Sequence, residues 1–263
     1  MAVNSLATSH RGTGPEPHPV AGSRPSTGGT LRRTLLRTAL TGAAALGAGL
    51  GAARPATAAP AGSGPAEPRP GTPGEALREL TAGNRRWQAF RERHPHEDPA
   101  IRRTLATAQH PFAVVLGCID SRVPPELVFD QGLGDLMTVR TAGEVLDEAV
   151  LGSVAYGVLE LGIPLVVVLG HQSCGAVRAA VTAEQTGEHL PAHMQYLVDQ
   201  IRPAIDHGQE GDARIDATVS ANVRLVRSRL AAEPDLAARI GTGKLAIVGA
   251  RYELTTQAVR RLA

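Results

Sequence analysis

The sequence predicts an α/β domain: a mostly parallel central sheet flanked by helices, with an N-terminal helical arm. Short runs of apolar, β-branched residues recur at Phe112–Gly117, Leu136–Arg140, Ile163–Leu169 and Lys244–Val248. Longer stretches of helical spacing lie between them, and strands that alternate with helices build parallel sheets covered on both faces. At 263 residues, 43% of them apolar, the chain can bury one sizeable core. Aromatic residues make up only 3%, so that core must be built from Ala, Val, Leu and Ile.

Taken in order, residues 1–58 read as a leader. Residues 1–30 are rich in Gly, Pro, Ser and Thr without an apolar period, a composition that stays disordered. Leu31-Arg32-Arg33-Thr34-Leu35-Leu36-Arg37 then precedes a modestly apolar run over 38–53, and Ala56-Thr57-Ala58 offers small residues for cleavage. The paired arginines before Leu35-Leu36 resemble a twin-arginine export signal. The expected location is therefore extracytoplasmic, secreted or in the cell envelope. The apolar run is shorter than the ~20 residues that span a bilayer, so no stable anchor is expected after cleavage. The leader also holds the basic excess of the chain, with Arg11, Arg24, Arg32, Arg33, Arg37 and Arg54 against Glu16 alone. The remainder is slightly acidic, which removes the electrostatic case for binding nucleic acid.

Residues 59–73 are a Pro/Gly linker, and the folded domain is expected over 74–263. From Gly74 to about Arg93, Ala76, Leu77, Leu80, Trp87 and Phe90 fall on one helical stripe, which His94-Pro95-His96 ends. Trp87 reads as its packing anchor. Pro124-Pro125-Glu126 resembles a helix start. Residues 145–161 form an amphipathic helix. Further helices are expected from Cys174 to about Gln185, over 193–207 and over 215–232. Tyr252–Leu262 fits either an edge strand or a short helix.

The chemistry concentrates in two short stretches. Cys118-Ile119-Asp120-Ser121-Arg122 follows the first strand, and His171-Gln172-Ser173-Cys174 follows the third. Sites in such sheets form beyond the carboxyl ends of the strands. The chain has only 2 cysteines, and both lie here. Two thiolates and an imidazole suit Zn²⁺ with one open position, which makes Cys118, His171 and Cys174 the candidate metal ligands. A disulfide is the competing reading of two cysteines in an exported chain. It explains neither His171 nor the Asp-x-Arg after Cys118. Asp120 lies close enough to ligate the metal as a fourth ligand or to accept a hydrogen bond from water. Arg122 can hold that carboxylate in a forked pair; the blander reading is a turn-stabilising ion pair. His94, His96, His110, His189, His193 and His207 read as surface residues. Gly170 and Gly175 hint at a phosphate loop, but no P-loop lysine follows.

The pairing of C-x-D-S-R with H-x-x-C-G-A resembles the β-class carbonic anhydrases. Gly83-Asn84-Arg85-Arg86-Trp87, Val139-Arg140-Thr141-Ala142-Gly143 and Gly249-Ala250-Arg251-Tyr252-Glu253-Leu254 extend the likeness over roughly 74–256. The resemblance implies zinc on Cys118, His171 and Cys174, a catalytic dyad of Asp120 and Arg122, and a closed state in which Asp120 is the fourth ligand. It implies reversible hydration of CO₂ to bicarbonate and a proton by zinc-bound hydroxide. It also implies a homodimer or higher homo-oligomer whose N-terminal helices embrace the partner. Many members carry Asn where this chain has Thr141, so a shifted hydrogen bond is expected there. Two alternatives stand beside this reading: hydrolysis of COS or CS₂ at the same site, and a non-catalytic zinc-binding protein. The second leaves Asp120 and Arg122 without a purpose.

Overall fold

The computed structural model describes residues 69–263. The leader expected over 1–58, with its twin-arginine-type signal, and most of the linker expected over 59–73 lie outside the described residues.

Five strands form one sheet in the order β2-β1-β3-β4-β5. β1 (Ala113–Gly117), β2 (Leu136–Arg140), β3 (Leu165–His171) and β4 (Ala246–Tyr252) run parallel, and β5 (Val259–Leu262) pairs antiparallel with β4. The expected mostly parallel sheet is present, and the undecided C-terminal segment is an edge strand.

β1 and β3 lie inside the sheet and are buried along their whole length. Successive side chains leave opposite faces of a strand. Val114, Leu116, Val166 and Val168 pack with Val150 and Val154 of α4 (Glu148–Leu159), Val223 and Leu230 of α7 (Gly211–Ala232) and Leu236 of α8 (Pro234–Gly241). Ala113, Val115, Leu165 and Val167 pack the other way, with Ala76 and Leu80 of α1 (Pro73–Gln88) and Val128 of α3 (Pro125–Val128). Two covered faces explain why these strands show no polar alternation.

α1 opens on a capping box: Thr72 Oγ1 accepts from Glu75 N at 3.3 Å, and Glu75 Oε2 accepts from Thr72 N at 3.1 Å. It stops at Gln88 and does not continue toward Arg93. Beyond it the amides of Arg93 and His94 donate to the Asp130 carboxylate (3.0 and 3.2 Å), a partner no helix could offer. Phe90 consequently leaves the apolar stripe and stands exposed.

Two short helices escape the sequence reading, α2 (Pro99–Leu105) and α8. Each begins with proline after an acidic residue, and Asp98 caps α2 by accepting from Ala100 N and Ile101 N. Both are too short for an apolar period to emerge. β3 starts two residues later than expected, after Pro164, and runs through His171, because Gly170 and His171 still pair with Arg251 and Tyr252 of β4. α5 (Gly175–Thr186) closes on left-handed Gly187, and α6 (Met194–Ile201) gives way to a 3₁₀ turn at Arg202–Ala204, which contains Pro203.

Candidate metal centre

Cys118 is the first residue after β1, and His171 is the last residue of β3. The two strands are neighbours, with Gly117 opposite Leu169, so Cys118 and His171 meet at one edge of the sheet. The turn after His171 passes through Ser173 in the left-handed region (φ 56°), a conformation that costs a non-glycine residue roughly 1–2 kcal/mol. That turn returns the chain so that Cys174 becomes the N-cap of α5, with no capping bond from its side chain. Its sulfur points elsewhere: Cys118 Sγ and Cys174 Sγ are 3.9 Å apart. Both sulfurs and a ring nitrogen of His171 lie within 4.8 Å of one another, and all three residues are buried.

This donor set fits zinc on two counts. Two sulfurs held at about 2.3 Å from one tetrahedral ion stand about 3.8 Å apart, in agreement with the spacing seen. The second count is the imidazole. His171 Nδ1 lies 2.9 Å from the carbonyl oxygen of Gln172, which can only accept, so the proton sits on Nδ1 and the lone pair on Nε2. Nε2 is buried and has no hydrogen-bond partner among the described residues. Leaving such a group unmatched costs about 1–3 kcal/mol, and a cation shared with the two sulfurs removes that cost. Hydrogen bonding with Cys174 lowers the Cys118 thiol to about 4, while the same bond and burial push Cys174 up. Cys118 gives up its proton first, as a thiolate ligand must.

Asp120 and Arg122 stand beside this triad. Asp120 Oδ1 accepts from Arg122 N and Nε, both at 2.9 Å, and Oδ2 accepts from Arg122 Nη2 at 2.7 Å. The forked pair holds the Asp120 carboxyl well below the usual carboxylate range. Oδ2 lies 3.8 Å from His171 Nε2. Both carboxylate oxygens are thus committed to Arg122 at the rim of the metal triad.

Several further residues support the centre; of these the sequence reading singled out only Gly143, as a glycine that lets the backbone approach the site closely. Arg140 donates from Nε to Cys118 O (2.8 Å) and from Nη2 to Asp120 O (2.7 Å), fixing the backbone between ligand and carboxylate. Gly143 takes a left-handed φ of 67°, and its carbonyl accepts from Asn222 Nδ2 at 2.8 Å. Glu144 is buried, its Oε1 has no partner among the described residues, and burial followed by the nearby Cys118 charge raises its pKa well above the ordinary value. The hydroxyl of Thr141 donates to Val145 O at 2.9 Å, a local bond that closes the 141–145 turn. The only sequence signal for Arg140 was its place in a family-like stretch, whereas Gly143 stood out there as a glycine able to bring the backbone close to the site. A buried glutamate and a buried Asn222 on a long helix gave none.

The centre borders a cavity of ≈ 400 Å³ lined by Cys118, Asp120 and the apolar side chains of Ile119, Ala176, Met194 and Leu197. His96 belongs elsewhere: it pairs with Asp135 (2.7 Å), just before β2 at the opposite edge of the sheet. Trp87 is confirmed as an anchor, its indole N–H donating to the Tyr252 hydroxyl at 3.0 Å.

The carbonic anhydrase family profile matches residues 113–259. Carbonic anhydrase 2 of Mycobacterium tuberculosis is 44% identical over 184 residues, covering 69% of this chain and 89% of that protein. The carbonic anhydrase of Mycolicibacterium smegmatis is 43% identical over the same length. Among solved structures, the β-carbonic anhydrase CcaA superposes with a TM-score of 0.58 at 25% identity, covering 71% of this chain and 95% of that one. Coccomyxa β-carbonic anhydrase gives a TM-score of 0.58 at 26% identity, covering 71% and 86%. With the sheet, the Cys-His-Cys cluster and these likenesses in hand, the chain belongs to the carbonic anhydrase family, in its β class.

Proposed function

We propose that this protein is a zinc lyase that hydrates CO₂ reversibly to bicarbonate and a proton, with Cys118, His171 and Cys174 holding the metal and Asp120 and Arg122 completing the catalytic site. One observation carries the reading: the buried, unmatched Nε2 of His171 faces two sulfurs at zinc-binding spacing, beside a carboxylate held by arginine. Zinc in this site supplies Lewis acidity that makes water a nucleophile near neutral pH. Two thiolates offset the charge of the ion, so the protein must help by orientation.

Arg122 keeps the Asp120 carboxylate ionised and turned away from the ligand set. In that position Asp120 accepts a hydrogen bond from the attacking water and aims its lone pair. Arg140 holds the backbone of Cys118 and Asp120, so the sulfur and the carboxylate keep a fixed relation. The apolar wall of Ile119, Ala176 and Leu197 admits a small, uncharged, linear substrate and limits bulk water. Were Asp120 to leave Arg122, its carboxylate would be placed to complete the ligand set that Cys118, His171 and Cys174 would offer zinc, which would close the site.

The protein works as a homodimer or higher homo-oligomer. A groove of ≈ 300 Å³ between α1 and the β4–β5 side, lined by Leu77, Thr81, Val248 and Val259, suits the helical arm of a second copy. Light scattering of the purified protein tests this. The leader directs twin-arginine export, the linker ends near Pro73 and the catalytic domain spans 74–263. Retention inside the cell of an Arg32→Lys, Arg33→Lys double variant tests the route.

The test of function is CO₂ hydration rate measured together with zinc content. One zinc per chain with activity abolished by chelation is expected. Absence of bound metal from active protein, or faster turnover of COS or CS₂ than of CO₂, overturns the assignment.

A further inference from the structure

We propose that Cys118 and Cys174 are also a redox modification site: in the metal-free protein a hydroperoxide converts them to a disulfide, which excludes zinc until it is reduced. The inference rests on the zinc reading above, because ion and disulfide compete for the same two sulfur atoms.

The geometry favours pairing over any other fate for these thiols. They are the chain's 2 cysteines, so no third thiol competes within the molecule. Both are free, and their sulfurs lie 3.9 Å apart. A disulfide needs about 2.05 Å, a closure of roughly 2 Å shared between two side chains. Their surroundings let a small oxidant in and keep a large one out. Cys118 lines the apolar cavity beside the centre, whereas Cys174 does not, and their exposures are 5% and 1%. A hydroperoxide is small and uncharged enough to enter; a charged disulfide such as oxidised glutathione is not.

The order of events follows from access. Cys118 Sγ attacks the peroxide, the O–O bond breaks, an S–O bond forms, and the released hydroxide takes the thiol proton as water. This leaves a sulfenic acid on Cys118. Cys174 Sγ then attacks Cys118 Sγ. The S–S bond forms as the S–O bond breaks, and the departing hydroxide leaves with the Cys174 proton as a second water. In total, two thiols and one hydrogen peroxide give one disulfide and two waters. In the zinc-loaded protein both sulfurs are engaged by the ion, so attack on the peroxide is suppressed.

The experiment uses the full chain in two forms: zinc-loaded, and stripped by a chelator with a reductant that is then removed. Each is exposed to hydrogen peroxide and followed by intact mass, thiol titration and zinc release. The stripped protein is expected to lose both thiols and two hydrogen masses, to stay a single chain, and to refuse zinc until dithiothreitol restores it. The zinc-loaded form is expected to keep its thiols about tenfold longer. Closure in the native stripped protein should also be about tenfold faster than in urea, which shows that the fold and not chance collision pairs the sulfurs. Stripped Cys174→Ser should stop at a sulfenic acid on Cys118 that dimedone traps. Gain of oxygen on the stripped parent, links between chains, no protection by zinc, or no trapped sulfenic acid in the variant overturns the proposal. Bridge formation in a protein that never binds zinc would instead refute the metal assignment and the exclusion with it. Zinc binding without a bridge refutes this inference alone.

Discussion

Gly143→Ala tests whether the metal centre depends on one backbone position. Gly143 has φ 67°, and a Cβ placed there would lie 2.8 Å from Ile201 Cδ1 and 3.3 Å from Ala176 Cβ. Ile201 is fully buried, so it has little room to yield. The left-handed conformation costs alanine roughly 1–2 kcal/mol. The overpacking adds roughly 1–2 kcal/mol. The sum is about 3 kcal/mol, which in a domain of this size lowers Tm by about 6–12 °C. The peptide cannot relax freely, because its carbonyl accepts from the buried Asn222 Nδ2 at 2.8 Å. Zinc affinity should therefore fall by about tenfold or more, as for other residues that orient ligands. Gly152→Ala is the matched control. It lies in α4 with ordinary φ and nothing within 4 Å of the new Cβ, so it should gain about 0.8 kcal/mol. Thermal melts and zinc-competition titrations on both variants decide the matter. If Gly143→Ala melts with the parent and binds zinc equally well, or if Gly152→Ala falls as far, the reasoning is wrong.

Other outcomes follow from the same geometry. Asp120→Ala and Arg122→Ala should each lose activity by about a hundredfold or more while keeping zinc, whereas Cys118→Ser or His171→Ala should lose the metal; assaying rate and zinc content together separates the two classes. Glu144 has a folded pKa raised above its unfolded value of about 4.3, so ionising it weakens the fold as pH rises through that range. In zinc-stripped protein, the stability advantage of Glu144→Gln over the parent should grow as pH rises above the ordinary glutamate range in urea titrations, and a gain confined to low pH contradicts this. Tyr252→Phe should cost about 1 kcal/mol and alter the emission of Trp87, the chain's 1 tryptophan, because the indole loses its acceptor; an unchanged spectrum refutes that contact.

The sheet was legible because its inner strands are buried on both faces and so appear as unbroken apolar runs, as at Phe112–Gly117. The ligands were legible because a chain with 2 cysteines placed both in chemically loaded motifs. The end of α1 was not legible, since Asp130, distant in sequence, takes the amides that would have continued the helix. α2 and α8 span too few turns to display a period, although Pro99 and Pro234 mark their starts. Glu144 was missed because the pattern treats a glutamate as a surface residue, and only tertiary packing reveals one sealed beside a thiolate. The roles of Arg140 and Asn222 depend on backbone carbonyls, which have no signature in a sequence.

The ligating atoms come from the tips of two adjoining strands and from a helix start, so no isolated peptide of this chain possesses a three-point grip. Only molecules that have completed their zipping of β1 onto β3 can capture the cation tightly. Free zinc then acts as a thermostat for the native population: at a hundred times its dissociation constant it adds about 2.7 kcal/mol, and scarcity withdraws that reserve.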